Sequence, residues 1–449
     1  MSSTADWSVV GDADGSRSTG QAAPTTGGAT PDAAAQPPEQ LDGGRAATYR
    51  EVFGVRAYRH LFFASLLSQS GDQLTKVALA WLVLARTGST LLTAITYAIT
   101  YLPWVLGGPL LSAYADRLPR RRVLVSCDVA RVVLVLLLAV PHTPTAVLIG
   151  LLFFSNLLAS PFNAAQAALM PELLAGDRYT VANGLDAMVR QIAQVGGFAL
   201  GGVVVWALSP TGALLADAAT FAASALLILR GVPAIRAALH RDADGRQSLL
   251  RDSFDGARAV FGDPRLRAYV LLFWAAAGFG FAYEGIAVPY AGAFGGGART
   301  AGLLLAAGPL GQTIGILVLG RILPPHIRMR LLLPLAVIST AALIPLLAIR
   351  SLPAALVLLT LAGIGAAFNV PLNSLFGRAV PTEYRGRAFG LAGAGLSLSY
   401  GVTMLAAGAI ADLPHISPGA VIGGSGIIGT AVVLALTRLW PRDDFHRGH

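Results

Sequence analysis

Residues 91–140 read LLTAITYAITYLPWVLGGPLLSAYADRLPRRRVLVSCDVARVVLVLLLAV, two apolar runs tied by one charged knot at 116–122. A helix of about 20 residues crosses the ~30 Å hydrocarbon layer of a bilayer, and each flanking run reaches that length. Apolar runs of this length that do not alternate are helices in lipid rather than barrel strands. The knot places one acid and four arginines, Asp116, Arg117, Arg120, Arg121 and Arg122, at the mouth of a helix hairpin.

Working outward, similar runs recur at 58–85, 89–115, 121–141, 143–170, 178–208, 210–231, 266–292, 299–322, 328–350, 353–380, 385–412 and 415–438. The expected fold is an all-α integral membrane protein with twelve transmembrane helices in two pseudo-symmetric six-helix halves, 49–231 and 266–438. The longest polar interruption, 232–265, is read as a central cytoplasmic loop, and 439–449 as a cytoplasmic tail. Residues 1–48 are rich in Ser, Thr, Gly, Ala, Pro and Asp, a composition read as a disordered cytoplasmic tail.

Composition agrees: 54% of the 449 residues are hydrophobic and 13% charged, with mean hydropathy +0.62. Soluble domains carry about a quarter charged residues, so a cytosolic enzyme is excluded. One cysteine, Cys127, closes no intrachain disulfide and makes no thiolate metal site, and neither an HExxH pair nor a phosphate loop is present. Neither metal nor cofactor is expected, and enzymatic activity is not indicated. The net charge of +9 is explained by topology rather than nucleic acid: nineteen arginines fall in the alternate loops that share a side with the N-terminus, against Arg86, Arg299 and Arg350 on the other. The positive-inside rule then puts both termini in the cytoplasm of a bacterial cell. Arginine-rich loops of this kind also bind anionic lipid headgroups.

Ionisable side chains inside a span are costly and functional by default. Lys76, the only lysine, follows Asp72 by four residues on one face of the first helix. Asp72 is the foremost candidate for proton binding or substrate recognition, with Lys76 as tuning partner; the competing reading is a structural ion pair. Asp128 with Arg131 and Asp186 with Arg190 repeat the spacing near the cytoplasmic third of their helices, which suits conformational latching. Glu284 has no basic residue within four positions, as a proton carrier requires, and Asp217 is read as a wall hydrogen bonder. Tyr97, Tyr101, Trp104, Phe273, Trp274, Tyr283 and Tyr290 suit stacking on flat amphipathic molecules; interfacial belts explain such residues equally well, Trp81 and Tyr290 in particular. Pro103, Pro109, Pro289, Pro309 and Pro371 are placed to kink or loosen helices.

The knot, Ser112-Ala-Tyr-Ala-Asp116-Arg117-Leu-Pro119-Arg120-Arg121, resembles the Gly-x-x-x-Asp-Arg-x-Gly-Arg-Arg signature of the major facilitator superfamily, with Ser112 and Pro119 in place of glycines. The resemblance implies a latch that stabilises the outward-facing state, carried by Asp116, Arg117, Arg120 and Arg121. Read without it, the same residues make a tight turn with positive-inside charge. Ser70-Gly71-Asp72, Thr87-Gly88-Ser89, Asp128-Val-Ala-Arg131, Pro171-Glu172-Leu173, Ala182-Asn183-Gly184, Arg190-Gln191-Ile-Ala-Gln194 and Gly201-Gly202 follow in order. Pro381-Thr-Glu-Tyr-Arg385-Gly386-Arg387-Ala-Phe-Gly390 adds Arg385 and Arg387 to the latch set. Together these are similar to the drug exporter branch that includes macrolide and enterobactin exporters.

What the resemblance implies is a monomeric secondary transporter that moves a small amphipathic compound out of the cell in exchange for protons. Two departures stand out. Gly197-Phe198-Ala-Leu-Gly201-Gly202 lacks the proline of the exporter signature, and the second-half loop Gly320-Arg321-Ile-Leu-Pro-Pro-His-Ile-Arg328 lacks an acid. They leave open a membrane sensor or assembly partner without transport, and an importer.

Overall fold

The computed structural model describes residues 47–106, 118–233, 257–258, 260–438 and 440. Asp116 and Arg117, residues 1–46 of the expected tail, the last third of the second expected span with Pro109 and Ser112, most of the central loop and nearly all of the C-terminal tail lie outside the described residues.

Among the described residues the regular elements are helices, and eight of them are long and apolar enough to cross a membrane. We label α1 Arg56–Thr87, α2 Thr90–Ala98, α3 Arg120–Leu138 and α4 Thr145–Leu173. Next, α5 and α6 are the two arms of Asp177–Gly231, which breaks where Ser209 adopts φ 70° before Pro210. The second half contains α7 Pro264–Gly292, α8 Ala298–Ile322, α9 Pro325–Leu347, α10 Leu352–Ala379, α11 Thr382–Ala411 and α12 Pro418–Thr437.

The ends of these helices follow from local chemistry. Gly88 terminates α1 in the left-handed region at φ 66°, where a side chain would be strained. One residue later the Ser89 hydroxyl accepts from Leu92 N at 3.1 Å and starts α2. Asp263 and Ser417 cap α7 and α12 in the same way, each followed by proline, whose missing N–H costs nothing in the first turn.

Within the first half α1 packs along α5 and α6, and α3 along α6; within the second, α8 packs on α10 and α7 on α11 and α12. The halves meet along two seams, α5 against α8 and α2 against α11. At the first, a Cβ on Gly202 would lie 2.6 Å from Ala298 O and 2.9 Å from Gly302 Cα, and one on Gly302 would lie 2.7 Å from Phe198 O. Lipid tails are as apolar as leucine, so this backbone contact is driven by close packing rather than by hydrophobic burial. Both seams lie at the end of the bundle opposite the arginine-rich loops, because Ser89, Ala298 and Asp412 stand at the far ends of their helices.

Candidate functional site

Helical spacing puts Ser68, Asp72 and Lys76 in one stripe of α1, with Gln69 and Gln73 beside it. That stripe forms one wall of a cavity of about 670 Å³ whose other walls come from Thr100, Tyr101 and Trp104, just past α2, and from α3, α4 and α5. Lining residues on the first turns of α5, Asn183 and Arg190, are exposed, whereas Thr100 at the other end is buried. The cavity therefore opens toward the arginine-rich end and is shut by the seams at the other.

Arg131 of α3 is the wall's central cation. Its side chain is 2% exposed and lies 3.9 Å from Asp72 Oδ2. It donates to Ser68 Oγ at 3.3 Å and sits over the rings of Phe221 and Phe162, 5.2 and 5.8 Å from their centroids. Asp128, one turn earlier, accepts from the Ser224 hydroxyl of α6 at 2.6 Å, and its Oδ1 has no partner among the described residues. So Asp72 and Arg131 meet between helices, where sequence spacing had suggested partners within each helix. Asp217 of α6 accepts from Thr75 at 2.5 Å and Thr220 at 3.0 Å, and Gly71 leaves room for it against α1. It braces the wall and does not line the cavity.

Lys76 has its Nζ 5.8 Å from the centroid of Tyr101, and the Tyr101 hydroxyl donates to Glu284 Oε2 at 3.3 Å. Tyr101 is thus a partition between a first-half cation and a second-half acid. Glu284, 1% exposed, occupies a 3₁₀ turn, Ala282–Ile286, that interrupts α7. Pro289 supplies the cause: without an N–H it cannot bond the carbonyl four residues back, inside that turn. The turn touches both α2 and α11 and so helps to plug the closed end. Tyr97 and Tyr283 are buried around Glu284, and Tyr400 packs against Tyr101 with centroids 5.1 Å apart and the rings tilted by 46°.

The aromatic residues separate by position. Tyr101 and Trp104 line the cavity, and Trp104 is 49% exposed. Trp274 instead ties α7 to α11, its indole N–H donating to Ala392 O at 2.9 Å, and Phe273 packs in the second half's core. Tyr290 is buried against Phe294 with centroids 4.9 Å apart, so a lipid-interface belt does not account for it.

At the arginine-rich end, Arg120 bonds Glu172 and Ala168 O, joining the start of α3 to the end of α4. Arg121 bonds Leu229 O in the last turn of α6, where an unsatisfied carbonyl favours a cation. Arg190 pairs with Asp186 at 3.2 Å, and Gln166 of α4 donates to the same carboxylate at 3.0 Å. Arg385 and Arg387 stand exposed at the start of α11. In the acid-free loop of the second half, Arg328 Nε donates to Leu323 O at 2.7 Å and Nη2 to Gly320 O at 3.0 Å, so an arginine caps the end of α8.

One clasp has no counterpart in the sequence reading. Asp412, just past α11, accepts from Ser89 Oγ at 2.8 Å and from Thr90 N at 2.7 Å, closing the α2–α11 seam. Burial works against its charge, but the Ser89 hydroxyl and the amides of Thr90 and Leu91 outweigh it and hold the carboxyl below its ordinary range. A lowered acid stabilises the closed seam above the ordinary carboxylate range and loses that contribution as pH falls through the lowered value. Asp412→Asn should therefore leave a weaker seam that no longer responds to acid, read as labelling across a pH series of a cysteine placed at Thr93, buried one turn further along α2.

Residues 61–349 and 285–448 match the Major Facilitator Superfamily. The chain is 27% identical over 370 residues to the multidrug efflux pump Tap of Mycolicibacterium fortuitum, covering 78% of this chain and 88% of Tap. It is 31% identical over 186 residues to the uncharacterized MFS-type transporter YkuC of Bacillus subtilis, covering 40% of this chain and 42% of YkuC. That alignment, like the one with YvqJ of the same species, spans less than half of the relative's length. Among solved structures, the nucleoside transporter NupG superposes with TM-score 0.65 at 16% identity, covering 85% of this chain and 98% of that one. A bacterial homologue of the iron transporter ferroportin, in an inward-facing state, superposes with TM-score 0.61 at 18% identity, covering 85% and 98%.

Proposed function

The chain belongs to the Major Facilitator Superfamily, and we propose that it exports a small amphipathic organic compound across the bacterial cell membrane in exchange for protons, by alternating access. The observation that carries this reading is the cavity of about 670 Å³, open at the arginine-rich end and walled by Asp72, Lys76 and Arg131. With that end in the cytoplasm, the molecule is loading cargo from inside. Asp72 is the wall acid that can exchange a bound proton for a bound substrate, and Glu284 the acid beside the closed end. The likeness to Tap supports export over import. Protons, substrate and lipid are the partners, and the chain works as a monomer without nucleic acid, metal or cofactor.

The test is uptake of a fluorescent substrate into inside-out vesicles with and without a protonophore. Uptake should collapse when the gradient does, and accumulation indifferent to the gradient rejects the coupling. Asp72→Asn should reduce gradient-driven uptake at least roughly a hundredfold, the scale for a removed proton-transfer group, while the protein still reaches the membrane. Wild-type uptake by that variant removes Asp72 from the mechanism.

A further inference from the structure

An ammonium carries three N–H donors, and Lys76 engages none of them in a hydrogen bond or an ion pair among the described residues; its contact is the face of Tyr101. Every other charge on the described cavity wall has a partner of opposite sign. Asp72 lies against Arg131 at 3.9 Å, and Asp186 against Arg190 at 3.2 Å. Lys76 is the surplus. Glu284 faces it from outside the lining, taking the hydroxyl of Tyr101 while the ammonium sits over the ring, so on the lining itself no acid pairs with Lys76.

We propose that the cavity selects amphipathic organic anions, with Lys76 as counter-ion to a carboxylate or sulfonate. The apolar part would lie on Tyr101, Trp104 and Phe162, all on the lining. Neutral amides of Gln69, Asn156 and Asn163 offer hydrogen bonds without adding charge. The volume falls within the range of drug-sized ligand sites. A cation placed there would face the unpaired ammonium and two acids that are already engaged.

This inference rests on reading the cavity as the substrate site, and it is tested by binding so that its failure is distinct from failure of export. The full chain in nanodiscs is titrated with three molecules of one shape, naphthoate, naphthylmethanol and naphthyltrimethylammonium. Binding is followed by the part of the tryptophan quenching that Trp104→Phe removes. Naphthoate should bind roughly ten- to a hundredfold more tightly than the cation, the range of a charge-assisted contact. Lys76→Gln should erase that preference and Lys76→Arg keep most of it.

Equal or tighter binding of the cation by the wild-type chain overturns the proposal without recourse to any variant, and so does absence of binding by all three. Preserved preference in a folded Lys76→Gln chain moves the selectivity elsewhere and overturns the assignment to Lys76. If naphthoate binds as expected but vesicles show no gradient-driven uptake, export fails and the anion site stands.

Discussion

Arg131→Met is expected to abolish transport and to lower stability by about 3–5 kcal/mol, the range for removing one member of a buried ion pair. The cost comes from what stays behind. Without the guanidinium, Asp72 loses its partner at 3.9 Å and Ser68 its donor at 3.3 Å. Asp128 beside them keeps only the Ser224 hydroxyl, with Oδ1 unpartnered among the described residues. Two carboxyl groups would then share one low-dielectric wall without a cation between them. A lysine at 131 restores charge but not the flat guanidinium that lies over the Phe162 and Phe221 rings while its Nη1 reaches Asp72 and Ser68, so Arg131→Lys should recover stability more than transport. The double variant Asp72→Asn/Arg131→Met separates the two effects. Removing both partners should return a sizeable part of the lost stability while leaving transport at background, because the wall has lost its exchangeable acid. Thermal unfolding in detergent and vesicle uptake provide the two readouts; an Arg131→Met protein as stable as wild type would mean that the Asp72 contact carries no structural energy.

That pairing also marks how far the sequence could be read. Apolar length and the punctuation of Gly88-Ser89, Ser209-Pro210, Asp263-Pro264 and Ser417-Pro418 define helix ends chemically, so these helix ends were legible. Burial cost likewise singles out Asp72, Lys76, Asp128, Arg131, Asp217 and Glu284 before any coordinates. Partner choice was not legible. Asp72 and Lys76 are four apart on one face, yet Arg131 of α3 reaches across to Asp72, and Lys76 turns to Tyr101. Spacing along one helix says nothing about the helix packed beside it. The Asp412 clasp was missed because its partner Ser89 is 323 residues away and both look like ordinary helix ends. Glu284 was found as an unpaired acid; its place in a broken turn of α7 had a signal in Pro289, read only as a loosening residue.

Gly202→Leu is expected to open the closed end of the bundle. A Cβ there meets Ala298 O at 2.6 Å and Gly302 Cα at 2.9 Å, both main-chain atoms that no rotamer change can move aside. Either α5 and α8 separate, or the closed state bears an overpacking cost of about 1–3 kcal/mol. If the second state of the cycle parts these helices, only the closed state bears that cost, and the closed-to-open ratio falls roughly five- to a hundredfold. Thr100, which lines the closed end of the cavity and is buried, gives the readout as a cysteine. Native Cys127 is buried, which keeps background labelling low. In cells, Thr100→Cys labelling by a membrane-impermeant maleimide should rise roughly tenfold when Gly202→Leu is added, while substrate export falls because the carrier no longer closes that end. Gly302→Leu, pressing on the same seam from α8, should behave alike. Gly393→Leu, at a glycine with nothing within 4 Å of its Cβ position, should leave labelling unchanged. If Gly202→Leu labels at the parental rate while the chain remains folded, the α5–α8 contact is packing alone and the gate lies at the α2–α11 seam, where Asp412 holds Ser89.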